Sequence, residues 1–311
     1  MELEDVVVFA DGLRFPEGPV AMPDGSVLVV ELMAGALTRV TKGASTVVAE
    51  LGGGPNGAAI GPDGAAYVCN NGGLTKGSQF PGCIQRVDLG SGGVELLYDS
   101  CDGEPIGAPN DLVFDHHGGF WFTDHGTTQR GQYTLGAVYY ATADRASIRK
   151  VVPRLDHPNG IGLSPDGSVV YFALTAHRQV MRRNITAPGE VEPSPGIDLR
   201  RYLRTNEMDP SIILAGLPGY QELDSLALEE NGNVCVGTLV DGCVTVFSPD
   251  GRSVQQVRLP DDLAEPMVTN ICFGGADLRT ASITLSATGR LVQARWPRPG
   301  LLLANQDLPP R

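Results

Sequence analysis

The sequence predicts an all-β chain. Three observations predict it: a recurring spacing, a turn signal inside each recurrence, and a β-rich run on either side of that turn. A polar residue is followed seven residues later by Asp, Asn or His, usually then by Gly, and then by an apolar run. Glu17 leads to Asp24, Gly25 and the run 27–30; Asn56 leads to Asp63, Gly64 and 65–68; Asn110 leads to His117, Gly118 and 120–122. Asn159 leads to Asp166, Gly167 and 169–172, and Asp224 to Asn231, Gly232 and 234–236. Asn270 leads to Asp277 and the run 282–285, with Leu278 in the glycine's place. Successive starts lie 39, 54, 49, 65 and 46 residues apart, a period typical of solenoids, propellers and arrays.

Each repeat reads as strand, tight turn, strand. Asp-Gly and Asn-Gly tolerate the positive φ of a primed two-residue hairpin turn, which is the turn expected here. Two further β-rich runs follow in most repeats: 36–41 and 46–51, 83–88 and 94–98, 137–141 and 147–152, 243–247 and 254–259. Four antiparallel strands repeated six times predict a six-bladed β-propeller, a single domain over residues 1–311. The last repeat is short, with only 289–296 after its hairpin, while 5–10 is a spare apolar run at the N-terminus. The spare run is expected to supply the outer strand of the last blade and close the ring without a long open edge. The fourth repeat carries an insertion over 185–222. Its 197–204 piece reads as a short helix or an outer strand, and 214–220 is expected to line a pocket because it runs into Asp224.

The innermost strand of each blade lines the central channel, and the residue heading it occupies the same place in every blade. Those residues are Glu17, Asn56, Asn110, Asn159, Asp224 and Asn270. Turn chemistry alone favours Asn and Asp at strand starts, but not a Glu in the same slot. Convergent amides and carboxylates make an oxygen-rich cup suited to one hard divalent cation, Ca²⁺ before Mg²⁺, Mn²⁺ or Zn²⁺.

Composition narrows the partners. The formal charge is −13, which argues against nucleic acid and anionic membrane surfaces and agrees with cation binding. No run has the length of a membrane span and no basic-then-apolar leader opens the chain, so a cytoplasmic protein is expected. The six cysteines form no CxxC pair and lie largely in apolar runs, where they read as small core residues. There is no G-x-S-x-G elbow, H-E-x-x-H or phosphate-cradling loop.

Strand direction places the rest of the candidate site. The second strand of each blade returns to the face that holds the ring residues, so the loops after it surround the mouth, as do segments entering each inner strand. The loops 71–82 and 124–136 are long, polar and glycine-rich, and are expected to wall a pocket. His125 and His177 follow second strands and are candidates for substrate contact or proton transfer, as is His157; Asn56 and Asn270 are candidates for substrate or water. His116 and His117 sit at the opposite turn and are expected to be solvated.

The pieces Phe-Pro-Glu-Gly-Pro at 15–19, Pro-Asn-Asp-Leu-Val at 109–113 with Phe-Trp-Phe-Thr-Asp at 120–124, Pro-Asn-Gly-Ile-Gly at 158–162 with Ser-Pro-Asp-Gly at 164–167, and Thr-Asn-Ile-Cys-Phe-Gly-Gly at 269–275 resemble the gluconolactonase, regucalcin and luciferin-regenerating-enzyme family. The resemblance spans nearly the whole chain in register with the repeats. It implies a six-bladed propeller and a lactone hydrolase whose divalent cation is held by Glu17, Asn110, Asn159 and Asp224. More distant relatives with the same cup include diisopropyl fluorophosphatase-like phosphotriesterases and a staphylococcal lactonase. One position departs from the sugar-lactone members: Ala108 stands where they carry an arginine, while Trp121, Thr123 and Asp124 resemble the bacterial gluconolactonase branch, so an aldonolactone is the expected substrate and a less polar lactone or another ester the alternative.

The chemistry that follows is hydrolysis. The cation polarises the lactone carbonyl, and Asp224 positions or deprotonates the attacking water, with a metal-bound hydroxide as the competing source of the nucleophile. Glu17 balances charge. Two alternatives keep the same cup: an organophosphate or other ester hydrolase, and a non-catalytic calcium-binding propeller.

Overall fold

A computed structural model describes residues 1–73, 80–129, 132–193 and 212–307. It is a six-bladed β-propeller with no α-helix among the described residues. Blades one, two, three and five are each four-stranded antiparallel sheets, with inner strands Pro16–Ala21, Pro55–Ile60, Pro109–Phe114 and Glu222–Leu228. Blade six has inner strand Val268–Gly274, and its outer strand is the N-terminal Val7–Ala10 paired with Arg290–Arg295, as the spare apolar run predicted.

Blade four, with inner strand Pro158–Leu163, differs from expectation. Its long third strand, Gln179–Ala187, pairs along one half with Ile213–Gly216 and along the other with Glu190–Val191. Ile213–Gly216 is therefore an outer strand, and only 217–221 remains to reach the ring face. An outer strand satisfies the exposed ladder of the third strand, a stronger demand than nearness to Asp224 in sequence. The 197–204 piece lies outside the described residues.

The hairpin turns also differ from the expected primed type. In blade one Met22 pairs with Ser26, and the Gly25 amide donates to the Met22 carbonyl (3.0 Å). Gly25 has φ +84°, whereas Asp24 does not adopt positive φ. This is a type I turn followed by one left-handed residue, the three-residue hairpin loop. Pro23, Pro62 and Pro165 had signalled it, since proline suits the first corner of a type I turn and not a primed one. Leu278 takes the same left-handed position at φ +54° without being glycine, a conformation costly for a branched side chain.

Strand alternation sorts side chains into six apolar clusters, one between each pair of neighbouring blades. The one between blades six and one is the smallest, formed by Leu13, Val27, Val29, Val40 and Leu291 with Phe9 and Ala10 against it. The ring thus closes where the packing is thinnest.

Below the ring the channel is lined largely by apolar side chains, with Asp111 and Asn270 at its edge. A cavity of about 70 Å³ on the axis is lined by Val20, Ile60, Val113 and Leu226 and closed at the far end by Leu301, Leu303 and Ala304. That C-terminal strap was not foreseen in the sequence. The buried Glu229 carboxylate holds it, accepting from Trp296 Nε1 (2.7 Å) and from Arg298. Gln306 then donates to the Phe273 carbonyl and Asn305 to that of Ile60, so the strap ties blades two and six together across the far end of the channel.

Candidate metal centre and mouth

All six ring residues are buried at the head of their inner strands. What aims them inward is a bulge. In every blade the pairing of inner and second strand breaks register at this point: between Glu17 and Val20, Pro55 and Gly57, Pro109 and Leu112, Pro158 and Ile161, Leu223 and Leu226, and Val268 and Asn270. A bulge inserts an unpaired residue and re-aims its side chain. The neighbouring blade sits against the chain there. A Cβ on Gly57 would come within 2.6 Å of the Asn110 carbonyl oxygen, and one on Gly160 within 2.5 Å of the Leu226 nitrogen. Only glycine lets adjacent bulges approach this closely.

The ring side chains engage one another. Asn270 Nδ2 donates to Glu17 Oε2 (3.5 Å), and Asn159 donates to the Asp224 carboxylate. Asn159 Nδ2 also donates to Thr175 Oγ1 (3.2 Å), and Ser225 Oγ donates to Asn159 Oδ1 (3.4 Å). Asn110 Oδ1 is shut off from solvent and accepts no hydrogen bond. Asn56 lies buried in its own bulge.

A third carboxylate belongs to this group and was not singled out in the sequence. Asp111, next to Asn110, is buried; its Oδ1 accepts from Leu112 N (2.8 Å) and it also accepts from Ser225. Its signal was present in the Pro-Asn-Asp run, where the other repeats carry Gly or Ser after the ring residue, except Ile271.

Burial dominates the electrostatics. Glu17 is pushed well above the ordinary carboxylate range by burial, then by the nearby Asp224 charge. Asp224 is raised to about 7, chiefly by burial, and Asp111 to about 7 for the same reason. Three carboxyl groups in low dielectric with no cation beside them cannot all ionise cheaply. An unpartnered buried carbonyl oxygen adds to the cost. Among the described residues no three His, Cys, Asp or Glu side chains are gathered closely enough to hold an ion by themselves, but two of the four expected ligands are asparagines. The donor set of Glu17, Asn110, Asn159 and Asp224 fits a hard divalent cation, which would neutralise the carboxylates and satisfy Asn110 Oδ1.

The histidines form a second group at the mouth, between blades three and four. Asp156, not singled out in the sequence, is its centre. Its carboxylate meets His157 Nδ1 (2.6 Å), His177 Nε2 (2.8 Å) and the Tyr133 hydroxyl. The His125 ring lies 4.6 Å from that of His157, and Tyr133 5.0 Å from the same ring. His125 Nδ1 is buried without a partner, and burial pulls its pKa down to about 4, so the imidazole stays neutral. Tyr133 arrives on a small hairpin, Thr127–Gln129 with Gln132–Thr134, inside the expected wall. Residues 74–79 of the other expected wall, 71–82, lie outside the described residues.

The opposite face holds a cavity of about 340 Å³ lined in part by His116, His117, Trp121 and Asp166. Asp115, within it, is fully engaged by His117 N, Gly119 N and the Tyr140 hydroxyl.

Comparison with known proteins gives the same architecture. The gluconolactonase from Xanthomonas campestris superposes with a TM-score of 0.74 at 20% identity, over 94% of this chain and 89% of that one. The calcium-binding protein regucalcin from Agrobacterium tumefaciens gives 0.71 at 17% identity, over 97% and 99%. In sequence, the chain is 26% identical to the gluconolactonase of Zymomonas mobilis over 93% of its own length and 81% of that protein's. Residues 15–287 match the SMP-30/Gluconolactonase/LRE-like region. That span contains all six bulged ring residues, and the chain belongs to the SMP-30/gluconolactonase/LRE-like family.

Proposed function

We propose that the protein is a divalent-cation-dependent lactone hydrolase. One observation carries the reading: buried carboxylates and an unpartnered amide oxygen are gathered at the heads of the inner strands, above a channel lined largely by apolar side chains. The gluconolactonase relatives supply the reaction class. Calcium is the cation we favour, because the donors are all oxygen and a structural neighbour is a calcium-binding protein.

Glu17, Asn110, Asn159 and Asp224 would hold the ion. When bound, it supplies Lewis-acid polarisation of the lactone carbonyl. Asp224 orients the attacking water and takes its proton; burial raises its basicity toward neutral pH, while a neighbouring cation lowers it. Glu17 offsets charge, and hydrogen bonds to Thr175 and from Ser225 hold the Asn159 amide in place. Asp111 is the reserve of negative charge beside the ligands. His125, kept neutral by burial and packed against His157, is the candidate substrate contact at the mouth, and Asp156 orients His157 and His177.

The test is hydrolysis of a lactone panel by chelated protein with Ca²⁺, Mg²⁺, Mn²⁺ or Zn²⁺ added back. Metal-dependent turnover supports the reading. Turnover of organophosphates alone would assign a different electrophile to the same cup, and tight calcium binding without turnover of any ester would make this a binding propeller.

A further inference from the structure

The described large apolar side chains on the ring face are not all tucked inside. Met33 (57% exposed), Phe80, Tyr133, Leu135, Tyr220 (76% exposed) and Val240 are all substantially exposed. They come from different places in the sequence but from one kind of segment. Met33, Phe80, Tyr133, Leu135 and Val240 lie in loops that follow second strands, and Tyr220 in the segment entering blade five. By the strand directions, these segments surround the mouth.

Several acids and one amide in the same segments are consumed by the protein. Glu31 accepts from Arg14 N (2.7 Å) and Thr38 Oγ1 (2.6 Å). Asp124 accepts from the amides of Gly107, Ala108 and Gly126. Glu265 accepts from those of Ala287 and Thr288. Asn70 bridges Gly54 N and the Gly52 carbonyl, and Asp156 is shared by Tyr133, His157 and His177. A polyhydroxylated substrate requires free donors and acceptors around it, because each buried hydroxyl left unpaired costs affinity. These acids are tied to their own loops, and the exposed aromatic and aliphatic groups carried by the same kind of segment match the opposite chemistry.

Resting on the lactonase reading, we propose that the mouth selects lactones bearing an apolar chain or ring on the carbon next to the ring oxygen, over polyhydroxylated sugar lactones. The lactone carbonyl enters the cup, and the substituent lies outward against Tyr133, Leu135 and Tyr220. The specificity residues are these rim side chains, and Tyr133 is set in place by Asp156.

Two measurements test this separately from the reading it rests on. The first is kcat/KM for δ-valerolactones carrying methyl, propyl or hexyl groups at that carbon, beside glucono-δ-lactone, with calcium present. The rim predicts a rise of about two- to fourfold per methylene, from partial burial of each, and glucono-δ-lactone at least about tenfold below the hexyl compound. The second is calorimetric binding of the matching valerolactams, which keep the shape but resist hydrolysis, against a polyhydroxylated lactam. Tyr220→Ala and Leu135→Ala, both at exposed positions, should flatten the chain-length dependence, whereas Val47→Ser on an outer strand should preserve it. Chain-dependent lactam binding without hydrolysis of any lactone would sink the lactonase reading and keep the rim. Hydrolysis with glucono-δ-lactone preferred, or no dependence on chain length in either series, would overturn the rim proposal. So would self-association abolished by Tyr220→Ala in a protein indifferent to chain length, since the rim would then be a contact between copies.

Discussion

Five of the six inner hairpins carry an acidic or amide residue both at the ring position and seven residues on at the turn, and the two ends behave in opposite ways. On the turn face, Asp24 is held below its ordinary pKa by the Ser26 hydroxyl and amide, and Asp166 falls to about 2 through Ser164 and Ser168. On the ring face, Asp224 rises to about 7 and Glu17 well above its usual range. The residue types are the same; solvent and donors differ. A turn aspartate is half out in water and accepts hydrogen bonds from the next residues, so its charge is welcome. A ring carboxylate is buried beside others of its kind. One face uses carboxylates to shape the backbone, the other stores a charge imbalance that a cation would relieve. The larger cavity lies on the turn face, yet its carboxylates are partnered, which is why size alone does not mark the site.

The largest expected effect comes from removing charge on the ring face while keeping shape. Asp224→Asn should hydrolyse lactones about 10²–10⁴-fold more slowly even when calorimetry shows the metal site full, the usual worth of a general base. Asp224→Ala should lose metal affinity and activity together. Full activity in saturated Asp224→Asn would remove the residue from the proton's path.

The next effect is on stability. Groups whose folded pKa is raised bind protons more tightly in the native state, so their contribution is complete below the unfolded values near pH 4 and is lost as pH climbs to about 7. Thermal unfolding of chelated protein should therefore drop by about 2–8 °C between pH 4.5 and 8, roughly what a few kcal/mol shifts a chain of this size. Asp111→Asn should blunt that slope, and saturating calcium should reverse it. A chelated protein that gains stability over this range would contradict the buried-carboxylate account.

Asp166→Ala, on the turn face, should cost about 0.5–1.5 kcal/mol by freeing the turn's donors, with no change in hydrolysis. Because Asp166 has a depressed pKa of about 2, its contribution is present above pH 4 and fades toward pH 2, where variant and wild type should converge in melting temperature. Smallest of all, Asn56→Ala should weaken metal binding only slightly in a calorimetric titration, since a neutral side chain outside the four expected ligands carries no charge balance. A loss equal to that of Asp224→Ala would place Asn56 among the ligands.

Much of this was legible in the sequence because the signals are local. Seven residues separate a ring residue from its turn in every repeat, and a strand of fixed rise turns that spacing into a position on one face. His125, His157 and His177 were legible by the same route, through strand direction. Asp156 lay within a segment already assigned to the mouth, but nothing in its neighbours shows that two histidines and a tyrosine from another blade would share it.

The sequence by itself determined the number of blades, the closing strand, the six ring positions and the face on which they meet, because hydrophobic alternation and turn residues act over a few positions. Tertiary structure alone decided the bulges that aim the ring side chains, because register belongs to two strands and is invisible in either. It also decided that Asp111 joins Glu17 and Asp224, that blade four takes its outer strand from Ile213–Gly216, and that the C-terminal strap seals the channel through Glu229. Those contacts join residues as far as 245 positions apart, and no local pattern encodes which distant partner will satisfy a buried charge or an open strand edge.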